Sequence, residues 1–257
     1  MSKHRLWSQL RLVAICLALG LCAGIPANGQ EDTSGSLKII VYGASGNVGS
    51  RVMTEALNRG HQVTGVSRNP SKLRKRHENL EFVKGDILNA QSVAETVVDY
   101  DVIVVSVRGS ADGSRAAEQA VQRVAADVVI GVLRDMGGRA PRLIYVGGAG
   151  SLEVKPGVIY ADTIPKIMLP KSIEQEIEGH ILTLEFLRTV SDVKWTYISP
   201  AKSFKKGKRT GKFRIGGDQM LLDEKGKSKI SMEDFAVALV DEAENAANVG
   251  KRISIAY

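Results

Sequence analysis

The run Lys38-Ile39-Ile40-Val41-Tyr42-Gly43-Ala44-Ser45-Gly46-Asn47-Val48-Gly49 constrains this chain more than any other segment. Leu37 to Tyr42 is short, apolar and rich in β-branched residues, and reads as a buried strand. Glycines follow at a spacing of three. Val48, Val52, Met53, Ala56 and Leu57 then recur at helical intervals as far as Gly60, which reads as the helix stop. His61 to Ser67 reads as a second strand. Strand, glycine turn, helix and strand in that order make a βαβ unit of the kind that cradles a dinucleotide pyrophosphate. Gly43 permits the tight turn, Gly46 lets the backbone approach the phosphates, and Gly49 lets the helix pack closely on the strand. The helix start then offers free N–H groups and the positive end of its dipole to the anion. The spacing is G-x-x-G-x-x-G and not the G-x-G-x-x-G of many dehydrogenases, so the flanking elements carry the assignment.

The end of the second strand selects the cofactor. An NAD site places an Asp or Glu there, to accept from the ribose 2′-hydroxyl. Here the chain reads Val66-Ser67-Arg68-Asn69-Pro70-Ser71-Lys72, with no acid to repel a 2′-phosphate. Arg68 can meet that phosphate with a planar fork of donors, and Ser67 can add a hydroxyl. An ordinary exposed loop arginine is the plainer alternative. NADPH is expected over NADH.

Further strands are expected at 80–87, 101–107, 142–146 and 194–200, with an edge strand at 252–256. Helices are expected at 93–100, 115–136, 174–190 and 233–246, the last opened by Ser231 with Asp234 three residues on. Regular alternation of strand and helix means a doubly wound parallel sheet, an α/β fold. The composition agrees, with 44% hydrophobic but only 5% aromatic residues, as buried parallel strands require. Asp86, after the third strand, is placed either to accept from an adenine amino group or to cap the next helix, where Asn89 competes. The loop Arg108 to Gly113 follows the fourth strand, at the end where such sheets bind ligands.

Residues 1–29 stand apart. Lys3, His4, Arg5 and Arg11 give a positive start, and Leu12 to Ile25 is an apolar stretch too short to span a bilayer comfortably. Pro26-Ala27-Asn28-Gly29 offers small residues for cleavage, so a secretory signal is expected, followed by a polar spacer at 30–36 and the domain at 37–257. An uncleaved anchor, or an upstream start that is not used, would leave the domain membrane-anchored or cytoplasmic. Cys16 and Cys22, the only cysteines, both fall in the leader, so the domain can hold no disulfide and no thiolate nucleophile. Removing the leader lowers the formal charge from +7 to +4. An exported domain must carry its nicotinamide cofactor out or meet it outside.

Lys202, Lys205, Lys206, Lys208, Arg209, Lys212 and Arg214 fall in one acid-free stretch. Only Phe204 and Phe213 are there to stack on bases, so a solvated loop or a lobe for an anionic substrate is expected in preference to a nucleic-acid surface. No His/Asp/Glu cluster has metal-ligand spacing.

The glycine run, the Ser67-Arg68-Asn69-Pro70 turn and Gly85-Asp86-Ile87 belong to a wider pattern. It continues in Val146-Gly147-Gly148-Ala149-Gly150-Ser151, Ile198-Ser199-Pro200, Arg209-Thr210-Gly211-Lys212 and Ile230-Ser231-Met232-Glu233-Asp234-Phe235-Ala236. From 37 to 257 the chain resembles the atypical short-chain dehydrogenase/reductases. Within them it is similar to the NAD(P)H-binding NADH-flavin reductase group, which borders the NmrA-like sensors. The resemblance implies a Rossmann fold as one domain with a small C-terminal substrate lobe. It implies a cofactor site at Gly43, Ala44, Ser45, Gly46, Asn47, Val48, Ser67, Arg68, Asp86 and Ile87. It also implies hydride transfer to a flavin, quinone or other planar acceptor, or else an NADP-binding sensor or assembly factor without turnover.

The superfamily's Tyr-x-x-x-Lys pair is absent, because Tyr160 is followed by Ile164 and Tyr145 by Ala149 at the lysine position. Ser151 reads either as a donor to the acceptor or as a cap, and His180 as a helix-surface residue. No catalytic side chain is assigned. Neither nucleic-acid binding nor stable membrane insertion of a cleaved chain is expected, and no oligomeric state follows.

Overall fold

Side chains of β1 (Lys38–Tyr42) alternate between two cores, Ile39 and Val41 on one face and Ile40 and Tyr42 on the other. That alternation of buried residues makes β1 a central strand covered by helices on both sides. The computed structural model describes residues 35–109, 116–165, 167 and 169–257. The expected leader, most of the spacer and residues 110–113 of the loop after the fourth strand lie outside the described residues.

From β1 the chain runs through α1 (Gly49–Asn58), β2 (Gln62–Ser67), β3 (Leu80–Lys84), α2 (Ala90–Thr96), β4 (Val102–Val105), α3 (Val121–Met136) and β5 (Arg142–Val146). A short antiparallel pair, β6 (Glu153–Lys155) and β7 (Val158–Ile159), precedes α4 (Lys171–Arg188) and β8 (Trp195–Pro200). Then come β9 (Ser203–Lys205), β10 (Arg214–Gly216), β11 (Lys229–Ser231), α5 (Met232–Asn245) and β12 (Lys251–Ala256). The main sheet has the order β10-β12-β8-β5-β4-β1-β2-β3, parallel throughout except for β10. It is the doubly wound Rossmann arrangement. The chain starts at the centre, winds out to β3, then crosses to β4, so the loops after β1 and β4 diverge and leave a crevice at their carboxyl ends. One face packs Val52, Met53 and Ala56 of α1 with Phe235, Leu239 and Val240 of α5. The other packs Val93 of α2, Ile130 and Leu133 of α3, and Leu184 and Leu187 of α4.

Some expected bounds change, and the helix expected at 93–100 is α2 at Ala90–Thr96, opened by Asn89. The strand expected at 252–256 is not the edge, because β10 pairs outside it with Arg214 opposite Ala256 and Gly216 opposite Ser254. Three residues with exposed Arg214 and Ile215 carry no periodic signal, so a strand this short was hidden within the basic stretch. The helix expected from 115 begins at Val121, after a 3₁₀ turn at Ala117–Gln119.

The Arg209-Thr210-Gly211 segment fastens the C-terminal lobe to the helices. Arg209 grips the buried Glu55 of α1 with both carboxylate oxygens at 2.7 Å. Thr210 N–H, Thr210 Oγ1 and Gly211 N–H donate to fully buried Asp234, as does Tyr257 Oη at 2.8 Å. Burial opposes charge on Asp234, but these donors outweigh it and hold the carboxyl below its usual range. Ser231 caps α5 as expected, accepting from the Asp234 N–H at 2.9 Å.

Candidate functional site

The glycine loop is built as its spacing implies. Gly43 has φ +84°, and a Cβ there would overlap the carbonyl of Ser106 at the end of β4. A Cβ on Gly49 would overlap the Gly43 carbonyl, so α1 can lie this close to β1 only with glycine there. Gly46 N–H closes the turn on Gly43 O at 2.9 Å. No side chain caps α1 and no acid sits in its first turn. Among the described residues nothing accepts from the N–H groups of Asn47 and Val48. Unpaired donors at an uncompensated helix start fit a diphosphate. Ser45 and Asn47 are exposed, whereas the Ala44 side chain is buried in the core, leaving only its backbone for a ligand.

The adenosine side lies one and two strands further out. Ser67 ends β2 opposite Lys84, and Gly85 N–H donates to Ser67 O at 3.1 Å, which sets Asp86 beside Ser67 and Arg68. Arg68 is exposed and no described residue pairs with its guanidinium. Asp86 does not cap α2; Asn89 does, accepting from Ser92 N–H at 2.9 Å. Asp86 accepts from Leu88 N–H instead and remains exposed. Ile87 is buried in the same core as Val66 and Val93.

A cleft of about 560 Å³ opens at the carboxyl ends of β1, β4, β5 and β8. It contains Gly46, Asn47 and Val48 but not Ser67, Arg68, Asp86 or Ile87, which lie outside its walls. Its far walls are mostly apolar, from Val146, Ile173, Ile177, Pro200, Phe204 and Met232. A second recess of about 350 Å³ lies at the opposite end of β1, β2 and β3, away from the glycine loop.

The glycines after β5 exist because α4 and β8 press against them. A Cβ on Gly147 would overlap the Tyr197 ring, one on Gly150 would come within 2.6 Å of Ile177, and one on Gly148 within 3.2 Å of His180. His180 is therefore not the surface residue its helix position suggested: it is buried and lines the cleft. Burial pushes its pKa down to about 4, with Glu176 acting upward and Arg108 downward. Tyr197 Oη donates its proton to His180 O at 3.0 Å and accepts from Gly148 N–H at 3.4 Å. It can then only accept from His180 Nδ1, 3.4 Å away, which leaves Nε2 bare. His180 is thus neutral and not a proton donor at neutral pH. The reciprocal signal was the glycine pair at 147–148, which marks where a large side chain from elsewhere must fit.

Ser151 is buried and does not line the cleft; its Oγ and its carbonyl accept from Arg252 at 3.5 and 3.3 Å. Tyr160 lines the cleft, with Lys202 Nζ 4.8 Å from its ring centroid. Arg108 and Glu176 pair across the mouth at 2.8 Å. Among the described residues no group of His, Cys, Asp or Glu is arranged to hold a metal, and no helix is long and apolar enough to cross a membrane.

The family described as NAD(P)H-binding matches residues 43–246. Three solved structures are similar over nearly their whole length. A provisionally named exported protein from Burkholderia pseudomallei is 35% identical, with a TM-score of 0.72 over 86% of this chain and 100% of its own. A provisionally named epimerase from Bacteroides thetaiotaomicron is 34% identical, with a TM-score of 0.76 over 86% and 97%. A provisionally named NADH-flavin reductase from Streptococcus pneumoniae is 27% identical, with a TM-score of 0.73 over 86% and 99%.

Proposed function

The chain belongs to the NAD(P)H-binding family of atypical short-chain dehydrogenase/reductases, and from that premise we propose that it passes hydride from NADPH to a flavin, quinone or similar planar acceptor. One observation carries this reading: a single cleft joins the start of α1, with its unpaired N–H groups, to apolar walls at the ends of β4, β5 and β8. The start of α1 would hold the pyrophosphate, Ser67 and Arg68 the 2′-phosphate, and Asp86 the adenine side. Bound NADPH supplies the hydride. The apolar walls exclude water and hold a flat ring against the nicotinamide, which is most of what such a transfer asks of a protein. Neutral His180 provides no acid, in keeping with an acceptor that needs none from the protein. The name given to the Streptococcus pneumoniae relative supports the same class.

The absence of the superfamily's Tyr-x-x-x-Lys pair also favours a second reading, an NADP-binding sensor or assembly factor without turnover. Anaerobic mixing of the protein with NADPH and a panel of flavins and quinones separates the two. Acceptor-dependent loss of NADPH supports the reductase, and tight NADPH binding with no oxidation supports the sensor.

Residues 1–29 are proposed as an export signal and 30–36 as a spacer. The Burkholderia pseudomallei relative, named as exported, supports this. Mass measurement of the protein recovered outside the cytoplasm tests it, and an intact Met1 would overturn it.

A further inference from the structure

Of the charged residues lining the cleft, Arg108 and Glu176 neutralise each other. Lys202 is different. Its ammonium rests over the Tyr160 ring at 4.8 Å, and no described carboxylate pairs with it. An aromatic face attracts a cation without cancelling its charge. The backbone beneath is fixed, because Lys202 N–H donates to Ser228 Oγ at 3.3 Å and Ser203 N–H to Ser228 O at 3.0 Å.

The acids of α1 and α5, which pack against this lobe, are already committed. Glu233 is held by Arg51 at 2.7 Å and by Gly207 N–H at 2.7 Å. Glu55 is held by Arg59 and Arg209, and Asp234 by Thr210, Gly211 and Tyr257. Lys205, Lys206 and Lys208 follow Lys202 in the chain, exposed and with no carboxylate partner among the described residues. None of these three lines the cleft, so among its described lining residues Lys202 carries the positive charge that no carboxylate balances.

That charge is badly placed for the cofactor's phosphates. β8 stands three strands from β1 in the sheet, about 14 Å at the usual strand spacing. The pyrophosphate belongs at the start of α1, directly after β1, and the 2′-phosphate beyond it at β2. Lys202 stands on the other side, beside Tyr160 and Phe204 where an acceptor ring would lie.

We propose that the acceptor carries an anionic group, a phosphate or carboxylate, and that Lys202 is the residue that holds it. The proposal rests on the reductase reading for the flat ring, and on the charge distribution for the anion. Lys202 is a specificity residue here and takes no part in the transfer.

The test uses the full chain saturated with NADP+, which cannot react, and compares flavin mononucleotide with riboflavin by quenching of flavin fluorescence. The two share a ring and differ by the phosphate. The phosphorylated flavin should bind at least about tenfold more tightly at low salt, as one charge-assisted contact implies, and the gap should shrink as salt rises. Lys202→Gln should bring it down to the riboflavin value, and Lys202→Arg should keep the preference. Equal affinity of the two flavins for the unaltered protein overturns the proposal. So does a Lys202→Gln variant that loses NADP+ affinity as strongly as flavin affinity, since Lys202 would then serve the cofactor. If neither flavin binds, 1,4-naphthoquinone-2-sulfonate against 1,4-naphthoquinone decides, and no preference for the sulfonate overturns it. The binding comparison needs no turnover, so a protein that never oxidises NADPH fails the reductase reading without deciding the charge preference.

Discussion

The two halves of the cleft are assembled in different ways. The cofactor half comes from one local stretch, residues 43–49, where each glycine answers a neighbour along the chain or one adjacent strand. The acceptor half gathers Arg108 after β4, Gly147 and Gly148 after β5, Tyr160 after β7, His180 on α4, and Lys202 after β8. Apart from the glycine pair, none of those residues announces its role in its own local sequence. The first half is a backbone site, whose donors are N–H groups that any residue supplies provided glycine sets the path. The second is a side-chain site, whose character depends on which long-range packing partners arrive. Substitutions in the two halves should therefore separate cofactor affinity from acceptor use.

The largest effect is expected at Gly46. A Cβ there would sit 3.1 Å from the Gly43 carbonyl, and the branches of a valine would project where the diphosphate must approach. Gly46→Val should remove detectable binding of both NADPH and NADH. Trp195 is a poor reporter for this: it begins β8, and its indole N–H donates to Val190 O at the end of the sheet opposite the cleft. The cofactor's own fluorescence is the better signal. A valine variant that still binds would place the site elsewhere.

That local half was also the legible one. The strand, turn and helix at 37–60 follow from apolar spacing and glycine alone, and the parallel sheet follows from the alternation of elements. His180 was misjudged because helical periodicity reports only which side of a helix is apolar. It does not say that a glycine pair from β5 opens a pocket on the other side. The basic stretch looked like one feature, yet the structure divides it. Arg209 fastens α1, Arg214 donates to carbonyls at the sheet edge, and Lys202 faces the cleft. Charge alone cannot distinguish these roles, because each depends on a partner distant in sequence. The Asn89 cap was legible because its partner is three residues away.

In the acceptor half, acid should act through His180. Its folded pKa of about 4 lies below the ordinary value of 6.5, so between these values the unfolded chain takes up a proton that the folded chain refuses. The associated stability is complete above pH 6.5 and is lost as pH falls through about 4, by up to roughly 3 kcal/mol. Denaturant midpoints from pH 7 to pH 4 should fall more steeply for the unaltered protein than for His180→Gln. Equal slopes would mean that the imidazole is already solvated.

On the cofactor side, Arg68→Glu should weaken NADPH by about tenfold or more, near 1.4 kcal/mol, and NADH far less. The readout is the ratio of the two dissociation constants. An equal loss would remove Arg68 as the reader of the 2′-phosphate and leave cofactor choice to other residues around the start of α1.

Gly148→Ala is the mildest change and the most discriminating. The added Cβ would meet the His180 side chain at 3.2 to 3.4 Å, tight enough to require a shift of a few tenths of an ångström but not to break the fold. α4 packs on α3, so the imidazole has to yield locally while its helix stays in place. NADPH affinity should stay within about twofold, because the start of α1 does not feel the change, while acceptor kcat/KM should fall several-fold, within about 1 kcal/mol. If NADPH affinity fell in step with turnover, the halves would be mechanically coupled through the Gly147–Gly148 backbone. The cleft would then have to be treated as one site, and local assembly of its first half would no longer mean independence from the second.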